Sequence, residues 1–234
     1  MAVVAQSPEM VNAVPGRTLT EPDWLSARIA EMGRSWGTTE SRVSGTLWWC
    51  MVASALVEQL ACAYANGEPA PEPFLDRLDC EVRPDGGIER VHIHPVAGAG
   101  VGHGLDADRG APHESDAALG HACAKALRET LAAVIGPVAA VSGAGVPSLW
   151  AIAADAIGNR ALDAGNPEAG ARLAGEVGGK LPVPRFVDVD GRTFVRRISC
   201  CLVFEVPGCE MCTSCPKRPA AERRTLLARL AAEN

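Results

Sequence analysis

Residues 46–65 read TLWWCMVASALVEQLACAYA, and the chain carries no charge from Val43 to Val57. So long an apolar run, rich in Ala and Leu, predicts a helix buried on most of its sides, from about Thr38 to Ala65, and Asn66-Gly67 supplies its stop. A helix of that kind belongs at the centre of a helical body. Upstream, Thr20-Glu21-Pro22-Asp23 combines a capping hydroxyl, an early Pro and first-turn acids, which predicts a helix to about Trp36. Downstream, two alternating runs in residues 77–95 flank Pro84-Asp85-Gly86-Gly87 and predict a hairpin through Val82 and Val91 to Ile93.

Residues 96–114 hold Gly, Pro and His and read as a loop. Ser115 is placed to cap a helix to about Ser142, bent at Gly136-Pro137; Pro147 opens another to about Leu162, and a short one covers Pro167 to Val177. After Gly178-Gly179 a second hairpin is expected, Phe186 to Val189 and Thr193 to Val195 around Asp190-Gly191, with strand character continuing from Ile198 to Val206. A cysteine-rich loop follows, then a terminal helix from about Ala220 to Ala232 with Leu226, Leu227 and Leu230 on one side. The expected class is α+β: a mainly helical body over 1–182, and a C-terminal unit over 183–234 made of the second hairpin, the cysteine loop and the terminal helix.

Thr130 to Ala154 runs 25 residues without a charge, long enough to span a membrane by length alone. Gly136, Pro137, Gly143, Gly145 and Pro147 punctuate it, so it reads as two buried helices joined by a tight connection; no transmembrane segment is expected, and peripheral membrane contact is left open. Residues 1–17 lack a basic start followed by an apolar run and do not read as a secretory signal, so a reducing cytoplasmic setting is expected. The net charge is −6, yet residues 180–234 hold ten Lys/Arg against six Asp/Glu, so the basic end is also the cysteine-rich end. No basic stripe interleaved with aromatics points to nucleic acid.

A chain of 234 residues needs no disulfides to fold, so its nine cysteines want another explanation. Cys50, Cys62, Cys80 and Cys123 are scattered and read as small buried hydrophobes. Cys200, Cys201, Cys209, Cys212 and Cys215 fall within 16 residues, with Pro207, Gly208 and Pro216 shaping an irregular loop suited to soft thiolate ligation of an iron-sulfur cluster. Adjacent strand residues face opposite ways, so Cys200 and Cys201 both reach one centre only if the chain bends or the strand ends there.

Cys200-Cys201, ten residues, Cys212, two residues, Cys215 resembles the C-C-x10-C-x2-C signature of FhuF-like ferric siderophore reductases, and RRISCCLVFEVPGCEMCTSCP around it is similar to that family's ending. The body is similar more loosely, chiefly around LWAIAADAIGN. The resemblance implies a [2Fe-2S] cluster held by Cys200, Cys201, Cys212 and Cys215, and cytoplasmic release of iron from a ferric siderophore by one-electron reduction. Cys209 departs from the pattern. It makes Cys209-x2-Cys212-x2-Cys215-Pro216, an echo of the four-iron ferredoxin run, and stands as an alternative ligand; a structural zinc site also suits four thiolates.

Arg192, Arg196, Arg197, Lys217 and Arg218 would favour a reduced cluster and dock an anionic complex or an acidic electron donor, although a solvated hairpin face explains them as simply. Trp48, Trp49 and Trp150 are candidate lining for a substrate pocket, with a core role the plainer alternative. His92 and His94 share a strand face, a geometry compatible with metal and equally with mere polarity; His103, His113 and His121 receive no role. No Gly-rich nucleotide motif follows a predicted strand, so electrons are expected from another protein, such as a ferredoxin or a reductase, or from a chemical reductant. The rival readings are a non-catalytic electron carrier or sensor and a zinc-stabilised binding module.

Overall fold

The computed structural model describes residues 12–95 and 114–233. Its elements are β1 (Ala13–Pro15), α1 (Pro22–Trp36), α2 (Ser41–Asn66), β2 (Leu78–Val82), β3 (Ile88–Ile93), α3 (Glu114–Ser142), α4 (Val146–Asp163), α5 (Pro167–Val177), β4 (Phe186–Val189), β5 (Arg192–Val195) and α6 (Ala220–Ala232). The protein is mainly helical with two small antiparallel sheets, ordered β1-β2-β3 and β4-β5, an α+β architecture.

The central helix is α2. It packs against α1, α3, α4, α5 and β3, and buries residues on all sides from Val43 to Trp49. Three of its polar atoms bond to neighbouring backbone: Trp48 Nε1 donates to Gly86 O at 2.8 Å, Trp49 Nε1 to Leu149 O at 2.8 Å and Gln59 Nε2 to Val91 O at 2.6 Å. Both buried indole N–H groups are thus paired, so an apolar helix also has a fixed rotation. Gly67 closes it in the left-handed region at φ 69°.

The expected helices are present with small shifts of boundary. Glu21 rather than Thr20 precedes α1, because Thr20 ends a short 3₁₀ turn in which its hydroxyl donates to Arg17 O. α3 runs on through Pro137 as one element and ends at Gly143, φ 74°. The uncharged stretch 130–154 is therefore two helices. Among the described residues, Ser41–Asn66 is the one helix long and apolar enough to span a membrane, and most of its apolar window is buried in the protein.

Two expectations need correction. β1, pairing with β2 in the register Ala13↔Glu81 and Val14↔Cys80, was not anticipated. The strand expected over Ile198 to Val206 does not form: β5 stops at Val195, residues 198–199 bend, and Val203–Glu205 is a 3₁₀ turn. The loop expected over 96–114 lies outside the described residues save Glu114, which begins α3. The expected boundary at 182–183 falls in the stretch between α5 and β4, and Leu202 and Val206 from beyond it bury into the same core as α2 and α4.

Candidate metal centre

The β4-β5 hairpin turns at Asp190 (φ 50°) and Gly191 (φ 83°), which suits the primed turns that match strand twist. After β5 the chain meets Asp155, a carboxylate on α4 with 3% exposure. The Ile198 N–H donates to both its oxygens at 2.9 and 3.0 Å, and the Ser199 N–H to Oδ2 at 3.1 Å. A carboxylate that takes two successive N–H groups removes them from any sheet ladder, and the chain bends at residues 198–199, just ahead of the Cys200-Cys201 pair where the bend was expected. Burial pushes the Asp155 carboxyl up, against the opposing pull of those two N–H groups and of Arg197. Leu202 then adopts φ 65°, its side chain buried and its N–H 3.4 Å from Cys200 Sγ.

The other half of the loop is fastened from α6 and from Arg218 just ahead of it. Arg218 donates to the carbonyls of Met211 and Cys212 and pairs with Glu222, while Arg223 Nη1 reaches Cys215 O at 3.3 Å and Arg218 O at 2.9 Å. Cys212 and Cys215 are brought together by a turn in which the Cys215 N–H donates to Cys212 O at 3.1 Å. Arg218, read from sequence as a docking charge, is occupied inside the loop with little of its side chain exposed.

These supports gather four thiols as two pairs. Cys200 Sγ lies 3.6 Å from Cys215 Sγ, and Cys212 hydrogen-bonds Cys201. That bond, with the Arg197 guanidinium behind it, holds the Cys201 thiol down to about 5, while Cys212 is pushed up by the same bond and Cys200 to about 11 by burial. Neither pair includes Cys209. Among the described residues, no three His, Cys, Asp or Glu side chains converge as a site for a single ion.

Arg197 points inward. Its side chain is 16% exposed, Nη1 lies 3.7 Å from Cys212 Sγ, and Nε lies 3.7 Å from Asp155 Oδ2. The expectation that it lines a substrate surface is corrected: alternation along the hairpin leaves Arg196 exposed and turns Arg197 to the thiols. Arg192 is exposed, stacks over Phe194 and donates to Leu230 O at 2.9 Å. Trp48 (0% exposed) and Trp150 (4%) are core residues, which corrects their expected role as pocket lining; Trp49 is equally buried. His92 pairs with Glu81 at 2.6 Å and His94 with Asp79 at 2.7 Å.

Two residues went unnoticed in the sequence. Asp155 is the one charge among buried α4 residues from Leu149 to Gly158, and that isolation was its signal. Cys50, on α2, faces the same place: its thiol is raised to about 12 by burial and feels the charges of Arg197, Cys201, Asp155 and Cys200. A cleft of about 420 Å³ opens beside Cys200, with Arg42, Thr46, Ser148, Ser199 and Lys217 in its wall.

Residues 197–217 match the model of the FhuF 2Fe-2S C-terminal domain. The match spans all five clustered cysteines, and the cofactor is accordingly a [2Fe-2S] cluster in an iron-sulfur, siderophore-related protein. No curated protein matches the chain.

Proposed function

We propose that this chain is a cytoplasmic ferric siderophore reductase whose [2Fe-2S] cluster is held by Cys200, Cys201, Cys212 and Cys215. The observation that carries the reading is the gathering of these four cysteines as two pairs, with Cys200 in the wall of an open cleft. Soft thiolates are the donor set that iron-sulfur clusters require, and two pairs suit two metals better than one tetrahedral ion. That arrangement supports iron over structural zinc, and it leaves Cys209 outside the ligand set. When bound, the cluster supplies one electron at a time.

The chain's own residues then have separate tasks. Asp155, Arg218 and Arg223 hold the backbone of the loop, so the thiols are positioned before a cluster is present. Arg197 offsets negative charge on Cys201 and Cys212. Arg42 and Lys217 face the side where a substrate would lie. Fe³⁺ in a siderophore is held by hard oxygen donors; with one added electron it becomes Fe²⁺, which they hold far more weakly. The electron comes from an external one-electron donor, a ferredoxin or a reductase. Nine free thiols support a reducing compartment.

The test is made on anaerobically purified protein. Iron, zinc and acid-labile sulfide are measured, the protein is reduced stoichiometrically with dithionite and desalted, and a ferric siderophore is added with a ferrous-iron trap. Two irons and two sulfides per chain, with one Fe²⁺ released per reduced protein, support the proposal. Zinc in their place overturns it, and so does a cluster that cycles without speeding Fe²⁺ release, the behaviour of a carrier or sensor.

A further inference from the structure

The cleft beside Cys200 has a charge character that goes beyond the reductase reading on which it rests. Among the described residues, the charged side chains in its wall are Arg42 and Lys217, both cations, with no carboxylate. Thr46, Ser148 and Ser199 are the hydroxyl-bearing residues of the same wall. The two cations share one partner that is not itself part of the lining, Glu205, at 2.5 Å from Arg42 Nη2 and 3.9 Å from Lys217 Nζ. One carboxylate between two cations leaves an excess positive charge at the mouth. The uncapped first turn of α4 at Gly145 adds to it.

This arrangement answers a specific difficulty. A [2Fe-2S] cluster with four thiolates is formally −2 when oxidised, so a negatively charged complex nearing Cys200 is repelled unless positive charge stands in its path. A neutral complex has no such need, and would gain little from two half-exposed cations.

We propose that this cleft is the substrate seat, and that it takes the iron-bearing head of an anionic ferric chelate, one whose charge comes from catecholate or carboxylate oxygens. Arg42 and Lys217 donate to those oxygens, the Thr46, Ser148 and Ser199 hydroxyls complete the polar wall, and Glu205 holds the two cations in readiness while competing with the ligand for them. The volume of about 420 Å³ accommodates the metal and its donor groups. The remainder of a larger siderophore stays in solvent. Cys200 supplies both a wall of the seat and a sulfur of the Cys200–Cys215 pair, so the bound iron lies beside the proposed cluster.

The seat is tested by binding alone, with gallium(III) complexes, which match Fe³⁺ in charge and donor preference and accept no electron under these conditions. Calorimetry on the cluster-loaded protein compares a tripodal tris-catecholate complex, charged −3, with a neutral tripodal tris-hydroxamate complex. The anionic complex should bind at least about tenfold tighter at low salt, with the gap closing as salt rises. Arg42→Gln and Lys217→Gln should each weaken it about fivefold, and Glu205→Gln should tighten it, because a competitor for both cations is gone. Thermal melts of each variant show that the fold is kept. Equal binding of the two complexes, or indifference to all three substitutions, overturns the seat. Fe²⁺ release that persists in that case leaves the reductase reading standing, and gallium binding without Fe²⁺ release supports the seat while removing the reductase.

Discussion

Arg197 Nε stands 3.7 Å from Asp155 Oδ2, and the same guanidinium carries its Nη1 to within 3.7 Å of Cys212 Sγ. A carboxylate from the middle of α4 thereby fixes the position of a positive charge at the thiols, and the same carboxylate fixes the backbone that leads into Cys200. One buried residue sets both the place and the electrostatics of the site.

Removing that positive charge disfavours an added electron. Arg197→Gln should lower the midpoint potential of the cluster on the order of 60 mV, about tenfold in the one-electron equilibrium. Arg197→Lys keeps the charge and loses the fork, so its shift should be smaller. A redox titration followed by EPR reads both, and an unchanged potential in Arg197→Gln rules the electrostatic role out.

Asp155→Ala strands the Ile198 and Ser199 N–H groups and leaves Arg197 without its carboxylate. Breaking a buried pair in this way costs on the order of 3–5 kcal/mol. Denaturant unfolding should show that loss, and the double substitution Asp155→Ala with Arg197→Gln should cost less than the sum of the two, because the second change removes the stranded cation.

In the cluster-free protein the Cys201 thiol is held down to about 5, from an ordinary 9.0, first by the Cys212 hydrogen bond and further by Arg197. Between those values the unfolded chain binds the extra proton, so stability rises with pH from about 5 to about 9 and is lost as pH falls through the lower value. Above 9 the trend reverses, because Cys200 and Cys212 are raised and keep their protons when folded. Thiolate absorbance should show one step well below the ordinary thiol range, which Cys201→Ser abolishes.

The ligand assignment separates the five clustered cysteines. Serine at Cys200, Cys201, Cys212 or Cys215 should each cost most of the bound iron and the visible spectrum. Cys209→Ser should retain two irons per chain; iron loss there equal to that of Cys212→Ser would return Cys209 to the ligand set.

Gly45 lets α2 approach the end of α3: a methyl built there would stand 2.3 Å from Ser142 Cβ. Gly45→Ala should destabilise by about 1–3 kcal/mol through overpacking, seen as a lowered Tm.

Much of the helical body was legible because punctuation and periodicity are local. Gly67, Gly143 and Pro167 sit at or next to the ends they announce, and α6 spans the expected Ala220–Ala232. The errors share a different origin. Ile198 to Val206 has a strand's composition, yet its first N–H groups go to a carboxylate 43 positions upstream, a partner that no local pattern reveals. β1 is three residues ending in Pro15, too short to announce itself. Trp48 and Trp150 carry the same sequence signal whether they face core or cavity, and only burial decides between them. Arg196 and Arg197 look alike in composition and differ in facing, so hairpin alternation alone could have parted them.

The Asp155 grip on residues 198–199 also bears on how freely such a motif can travel between proteins. A peptide of residues 197–217 would take all five clustered cysteines with it and leave behind the carboxylate that sets its entry bend and the Arg223 that closes its exit. Grafted onto another scaffold it would be a floppy string of thiols, with the ordering entropy of the loop still to be met when metal arrives. In this protein that ordering is done by the fold, so a cluster-assembly machinery would meet a finished socket, and the order of maturation would run from body to loop to metal.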